Sequence, residues 1–257
     1  MTSHLIIPDI QARPGISLDY LKWIGQYIIQ KKPDVIVCIG DFADMPSLSS
    51  YDKGKKSFEG RRYKEDIKSA KEAMKLLLTP MNRYNETQRR GKRKQYTPRM
   101  VLTLGNHEER IMRVGEFQPE LDGVVSYDDL PYNNWEVIDY LKPIVIDGVT
   151  YVHYLANPMT GKPYCGTALN QLAKVGKSFI VGHKQTLDIA TRFTIGGTQQ
   201  WGIVAGSAYP HYEEYKGHQG NDHWRGIIYL NRVIEGSFDP LFISLAYLKE
   251  RYENQPS

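Results

Sequence analysis

Short, unbroken apolar runs recur along this chain, and between them lie stretches whose apolar residues return at helical spacing. Residues 4–7 and 34–39 read as buried strands, the second rich in β-branched side chains. Residues 17–31 between them read as a helix. Ser17 or Asp19 can cap it, Leu18, Leu21, Ile24 and Ile28 share one face, and Pro33 stops it. Strand, helix and strand within about 30 residues favour parallel pairing. Residues 63–78 predict a second amphipathic helix with Ile67, Ala70, Met74, Leu77 and Leu78 near one stripe, ended or bent by Pro80. Residues 99–104 return to the sheet, and 108–114 read as helical. From Trp135 onward the elements shorten. Strands are predicted at 136–138, 143–146 and 149–153, with Asp147-Gly148 as a hairpin turn. A helix at 167–175 follows, then strands at 178–181, 187–195, 202–205 and 226–230, and a terminal strand or helix at 242–252. The pattern is that of an α/β protein.

Five of the apolar runs end on residues that hold metals or move protons. LII leads to Pro8 and Asp9-Ile10-Gln11, VIVCI to Gly40-Asp41 and then Asp44, and MVLTL to Gly105-Asn106-His107-Glu108. TYV leads to His153, and FIV to Gly182-His183-Lys184-Gln185. Strands that aim such residues from their carboxyl ends define the place where open α/β sheets put their ligands. Taken singly, each Asp is a turn residue or helix cap and His153 a core histidine. The ordered set carries the functional reading. Asp9 and Gln11, two apart in an extended segment, would lie on one side of it. Gly40 would let the chain turn and present Asp41. Two divalent ions about 3.5–4 Å apart can clamp a phosphoryl group and sharpen a bridging water into a nucleophile. His107 could then donate a proton to the leaving oxygen, with Asp44 orienting its ring.

Composition adds bounds. At 257 residues and 41% hydrophobic, the chain supports one α/β domain over 1–257 with a large core. No apolar run approaches a membrane span, and the start MTSHLII lacks a signal-peptide pattern, so the cytoplasm is expected and no membrane partner. Cys38 and Cys165 make no disulfide framework. Charge is uneven: between Lys53 and Arg99 there are 16 basic and 5 acidic residues, against 17 and 24 elsewhere. We read about 45–98 as a basic helical insert capping the domain, densest at Arg89-Arg90-Gly91-Lys92-Arg93-Lys94. This is either a polyanion footprint or a solvated helix end. His211, His218 and His223 read as exposed loop, His4 as strand-edge structure, and Arg110, Arg113 and Tyr154 as surface charge and packing.

The series Asp9-x-Gln11, Gly40-Asp41-x-x-Asp44, Gly105-Asn106-His107-Glu108, His153 and Gly182-His183-x-Gln185 resembles the calcineurin-like metallophosphoesterases. Val204-Ala205-Gly206-Ser207 is similar to the family's late Gly-Ser strand, and the Asp-x-Gln start is similar to that of phage-encoded members. The resemblance implies a four-layer α-β-β-α sandwich, two divalent metals and phosphoester hydrolysis. It implies Asp9, Gln11, Asp41 and Gln185 around a first metal, and Asp41, Asn106, His153 and His183 around a second. It makes His107 the catalytic acid and Asp44 its orienter.

Gln11 and Gln185 stand where the family usually has histidine. Both changes fall on the first site. That site becomes oxygen-rich and suits Ca²⁺, Mg²⁺ or Mn²⁺, while the histidine-containing site suits Mn²⁺, Fe²⁺, Zn²⁺ or Ca²⁺. Met45-Pro46 follows Asp44, where family members acting on phosphoserine and phosphothreonine carry Arg-Gly. Phosphodiesters, as nucleotides or nucleic acid, are therefore the expected substrates, with phosphomonoesters also in view. The alternatives are a serine/threonine protein phosphatase and a nucleic-acid-binding module on a weakened phosphoesterase fold.

Overall fold

Strands buried on both faces explain why the apolar runs are unbroken rather than alternating. The computed structural model describes residues 1–213 and 216–253. In chain order its strands are β1 (Thr2–Pro8), β2 (Val35–Ile39), β3 (Arg99–Thr103), β4 (Glu136–Ile138), β5 (Ile144–Ile146), β6 (Val149–Val152), β7 (Phe179–Val181), β8 (Leu187–Phe193), β9 (Gln199–Ala205), β10 (Gly226–Ile234) and β11 (Ser237–Ser244). Its α-helices are α1 (Tyr20–Lys31), α2 (Tyr63–Arg90), α3 (Glu109–Phe117), α4 (Ala168–Val175), α5 (Gly217–Asn221) and α6 (Leu245–Tyr252). A six-stranded sheet runs β11-β10-β1-β2-β3-β4 and a five-stranded sheet runs β5-β6-β7-β9-β8. The β1, β2, β3 and β4 neighbours pair in parallel, as do β6, β7 and β9.

Successive residues of each strand feed different layers. Leu5, Ile7, Ile36, Cys38 and Leu102 face the core shared with α1, α2 and α6. Ile6, Val37, Ile39 and Val101 face Tyr151, Ile180 and Ile203 of the other sheet. Val152, Phe179, Val181 and Val204 pack beneath Ala168 and Leu172 of α4. Two sheets face to face with helices outside give the expected four layers.

Four local expectations change. The helix predicted over 63–78, ended or bent by Pro80, runs on to Arg90. Its stripe continues through Met81, and α1 passes so close at Gly25 that a Cβ there would overlap Leu77 O and come within 2.9 Å of Pro80 Cγ. Tertiary packing thus offsets the bond that Pro80 removes. The stretch expected as a cap is instead largely a crossover connection from β2 to β3, with α2 in the outer helical layer beside α1. The terminal element is both kinds: β11 ends at Ser244, whose hydroxyl caps α6 by accepting from Tyr247 N at 3.2 Å. His4 is no edge residue; fully buried in β1, it lies 2.7 Å from Tyr151 Oη and 3.0 Å from Asp147 Oδ2, tying the two sheets together. Among the described residues no helix is long and apolar enough to cross a membrane.

Candidate metal centre

The loops that leave β1, β2 and β7 turn through left-handed backbone. Asp9, Gln11, Asp41, His183 and Gln185 have φ of 36°, 48°, 50°, 67° and 60°. The extended segment expected for Asp9 and Gln11 is therefore absent, and strained turns present them instead. Such conformations are costly for residues with a Cβ and gather where function requires a fixed side-chain direction. The glycines beside them allow close approach. A Cβ at Gly40, whose φ is +68°, would stand 2.6 Å from His153 Nδ1, and one at Gly182 would stand 2.6 Å from Asp9 Oδ1.

Four donors of the second predicted site converge. His153 Nε2 lies 3.3 Å from Asp41 Oδ2 and 3.0 Å from Asn106 Oδ1, and His183 Nδ1 lies 2.8 Å from the same Asn106 oxygen. Asp41, His153 and His183 offer ligand atoms all within 4.8 Å of one another. His153 Nδ1 donates to Ile39 O at 3.0 Å, which leaves Nε2 directed at the cluster. Burial opposes a charged His153, but Asp41 and Asp9 outweigh it and raise its pKa to about 10. Burial and the neighbouring His153 instead lower His183 to about 4.

The first predicted site is more open in its chemistry. Asp9 is fully buried; its Oδ1 accepts from His183 N at 3.3 Å and its Oδ2 has no partner. Burial pushes its pKa up to about 7, against the pull of His153. Gln11 Nε2 is also buried without a partner. Gln185 Oε1 accepts from Tyr209 Oη at 2.7 Å, so it could serve an ion only through its remaining lone pair. Orphaned buried polar atoms are rare. By donor chemistry these residues fit divalent ions: nitrogen and oxygen donors in the cluster of Asp41, Asn106, His153 and His183, oxygen donors in Asp9, Gln11 and Gln185.

His107 sits at the rim of the cluster. Its Nδ1 lies 2.6 Å from Asp44 Oδ1 and 3.0 Å from Asp44 O, both acceptors, so Nδ1 carries a proton. Its Nε2 lies 3.7 Å from Asp41 Oδ2 and faces the centre. Burial disfavours the charged ring, yet Asp41 and Asp44 prevail over burial and Arg110 and raise its pKa. Asp44 is buried too, but His107, Arg110 and Arg13 pull its pKa down to about 2.

Several contributors escape the sequence reading. Glu108, in the quoted motif but without an assigned role, is fully buried and joins two loops. Its Oε2 accepts from Asp41 N and Gly105 N at 3.0 and 2.9 Å; its Oε1 accepts from Ala43 N and Tyr132 Oη at 3.0 and 2.9 Å. Arg13 lies 3.3 Å from Asp44 Oδ2 and 2.9 Å from Glu213 Oε2. Its place two residues beyond Gln11 was the available signal. Arg110 spends Nη1 on the carbonyls of Asp44 and Met45, at 2.8 and 3.3 Å, rather than on solvent. His211, expected in an exposed loop, stacks on Tyr209 at 4.3 Å and bonds Glu213 at 3.0 Å.

The "Gene 54 protein" of Mycobacterium phage L5 is 26% identical over 213 residues, covering 79% of this chain and 78% of that one. A solved crystal structure aligns over 95% of this chain and 99% of its own at 13% identity, but with a TM-score of only 0.41 it is too distant to add anything. The family model for calcineurin-like phosphoesterases matches residues 4–233, and the chain belongs to that family.

Proposed function

We propose that this protein hydrolyses phosphodiesters, nucleotides or nucleic acid among them, with two divalent ions held by Asp9, Gln11, Asp41 and Gln185 and by Asp41, Asn106, His153 and His183. The observation that supports this best is the convergence of Asp41 Oδ2, Asn106 Oδ1, His153 Nε2 and His183 Nδ1, with His107 Nε2 3.7 Å from the same Asp41 oxygen. When bound, divalent ions supply Lewis acidity, activating water and neutralising phosphoryl charge. The chain's own residues do the rest. Water oxygen adds to phosphorus as the bond to the ester oxygen breaks, and the proton that the water sheds passes to solvent. The departing electron pair leaves on that oxygen, and the Nε2 proton of His107 caps it. Asp44 keeps the ring turned so that Nε2 faces the cluster. Asn106 offers an oxygen but no charge, which leaves the centre cationic enough to attract a phosphate.

The donor chemistry favours a hard ion, Ca²⁺, Mg²⁺ or Mn²⁺, at the Asp9 side, because two amides replace imidazoles there. The His153 side suits Mn²⁺, Fe²⁺, Zn²⁺ or Ca²⁺. The basic run at the end of α2 does not support a nucleic-acid channel at this centre. Ser47 N bonds Asp66 Oδ2 at 2.9 Å, tying the first turn of α2 near Asp44, and 28 helical residues span about 42 Å. The test is hydrolysis of bis(p-nitrophenyl) phosphate with added Mn²⁺. His107→Ala should lower kcat by about 10²-fold or more on an alkyl diester. Wild-type protein inert with every divalent ion would end this reading.

A further inference from the structure

We propose that Arg13 and Glu213 are positioning residues: Glu213 fixes Arg13, and Arg13 locks the Asp44 carboxylate in the orientation that aims His107. The proposal rests on the reading of His107 as the proton donor.

The two oxygens of Asp44 do different work. Oδ1 meets His107 Nδ1 at 2.6 Å, and Oδ2 meets Arg13 Nη1 at 3.3 Å. A carboxylate held through one oxygen keeps freedom to rotate about its own axis; a guanidinium on the other oxygen removes it. The third cation near Asp44 acts elsewhere. Arg110 Nη1 stands 3.8 Å from Oδ1 but bonds Asp44 O at 2.8 Å, so it restrains backbone. The orientation of the carboxylate is left to Arg13.

Arg13 is itself restrained. Glu213 accepts from its Nη1 at 2.9 and 3.2 Å, and Tyr212 O accepts from Nη2 at 3.4 Å. Glu213 is buried and doubly clasped by Asn221, whose Oδ1 accepts from Glu213 N at 2.7 Å and whose Nδ2 donates to Glu213 O at 2.8 Å. His211 Nε2 lies 3.0 Å from Glu213 Oε1. Backbone bonds hold the Arg13 loop alongside Asp44: Ala12 N to Phe42 O at 2.8 Å and Asp44 N to Ala12 O at 3.0 Å. A continuous chain of polar contacts therefore runs from the segment after β9, through the loop after β1, to the imidazole at the rim. Outer partners of this kind set the direction of the groups they touch.

A positioning role has a signature that loss of folding lacks. An alkoxide leaving group needs a proton, whereas p-nitrophenolate departs without one. The assay compares a dinucleoside phosphate with the p-nitrophenyl ester of the same nucleotide. For Arg13→Ala, kcat on the dinucleoside phosphate should fall about 10-fold or more, part of the about 10²–10⁴-fold that a general acid supplies. On the nitrophenyl ester it should fall less than about 3-fold, with KM for both changed by less than about 2-fold. Arg13→Lys should recover only part of the loss, because a lysine lacks the planar fork. Glu213→Gln should shift the ratio of the two rates in the same direction and serves if Arg13→Ala does not fold. Equal losses on both esters would overturn the proposal. Crystal structures of wild type and Arg13→Ala decide it independently of turnover. The variant should show Asp44 rotated away from His107 Nδ1, and an unmoved carboxylate overturns the brace. If wild type hydrolyses neither ester, the phosphoesterase reading fails, and the crystallographic comparison still judges the brace.

Discussion

Removing the Glu108 carboxylate should unsettle the whole rim of the centre without touching a single metal donor. The side chain is fully buried and accepts four hydrogen bonds, three from backbone amides of Asp41, Ala43 and Gly105 and one from Tyr132. Glu108→Ala leaves three amides with no acceptor in a space closed to bulk water. Each orphaned donor costs about 1–3 kcal/mol, and partial collapse or an entering water recovers some of that. A loss of about 4 kcal/mol is expected, a large share of the about 5–15 kcal/mol that domains possess. Glu108→Gln is milder. Its oxygen can keep Asp41 N and Gly105 N, and its amide can face Tyr132, whose hydroxyl turns to accept. Only Ala43 N then loses its partner and meets a donor, so about 2 kcal/mol is expected. Urea unfolding of metal-free protein measures both through the shift in midpoint at constant slope. A cost below about 1 kcal/mol for Glu108→Ala would refute the reasoning, because three buried amides cannot lose their acceptor so cheaply.

Other outcomes follow from the same geometry. Asp66 is buried in the first turn of α2, and burial raises its pKa from 3.8 to about 6. Between about pH 4 and 6 the folded state keeps a proton that the unfolded chain has released, so this group's contribution to stability falls as pH rises through that window and is level above it. Asp66→Asn should remove the slope, changing the wild-type-minus-variant difference by about 3 kcal/mol across the window; a pH-independent difference in thermal midpoint would argue against it. Gln11→His with Gln185→His should raise Zn²⁺ affinity over Ca²⁺ in competition titrations, and elemental analysis of wild type purified without chelator should show sub-stoichiometric zinc. Chelation should lower Tm by about 5–10 °C relative to protein held at about 100 times Kd in Mn²⁺; an unchanged Tm would mean that the folded state holds no ion.

The sandwich was legible because burial on both faces writes strands as unbroken apolar runs, and the donors stand where those runs end. Asp41, Asn106, His153 and His183 could be placed together for that reason. Pro80 misled because a local rule forbids what the contact between Gly25 and α2 allows. Asp9 and Gln11 reach the centre through left-handed turns rather than by strand alternation, and no residue type at those positions advertises such a backbone. Arg13, Glu213 and His211 stayed hidden because their loops have no period to read. Their partnership exists only once the segments that follow β1, β2 and β9, strands of two different sheets, meet at the rim.

The four donors of the nitrogen-containing group are divided between the two sheets: Asp41 and Asn106 follow β2 and β3, and His153 and His183 follow β6 and β7. The spacing of these side chains therefore depends on how far apart the core holds the two sheets. An ion bound there is linked thermodynamically to packing some distance away, and linkage is reciprocal. A truncation at Ile203, buried between the sheets and outside the donor set, would alter ion affinity and the preference among ions of different radius. On the proposed two-ion reading, selectivity would then have a second determinant, the volume of the interior side chains, which a comparison of ligand residues alone would miss.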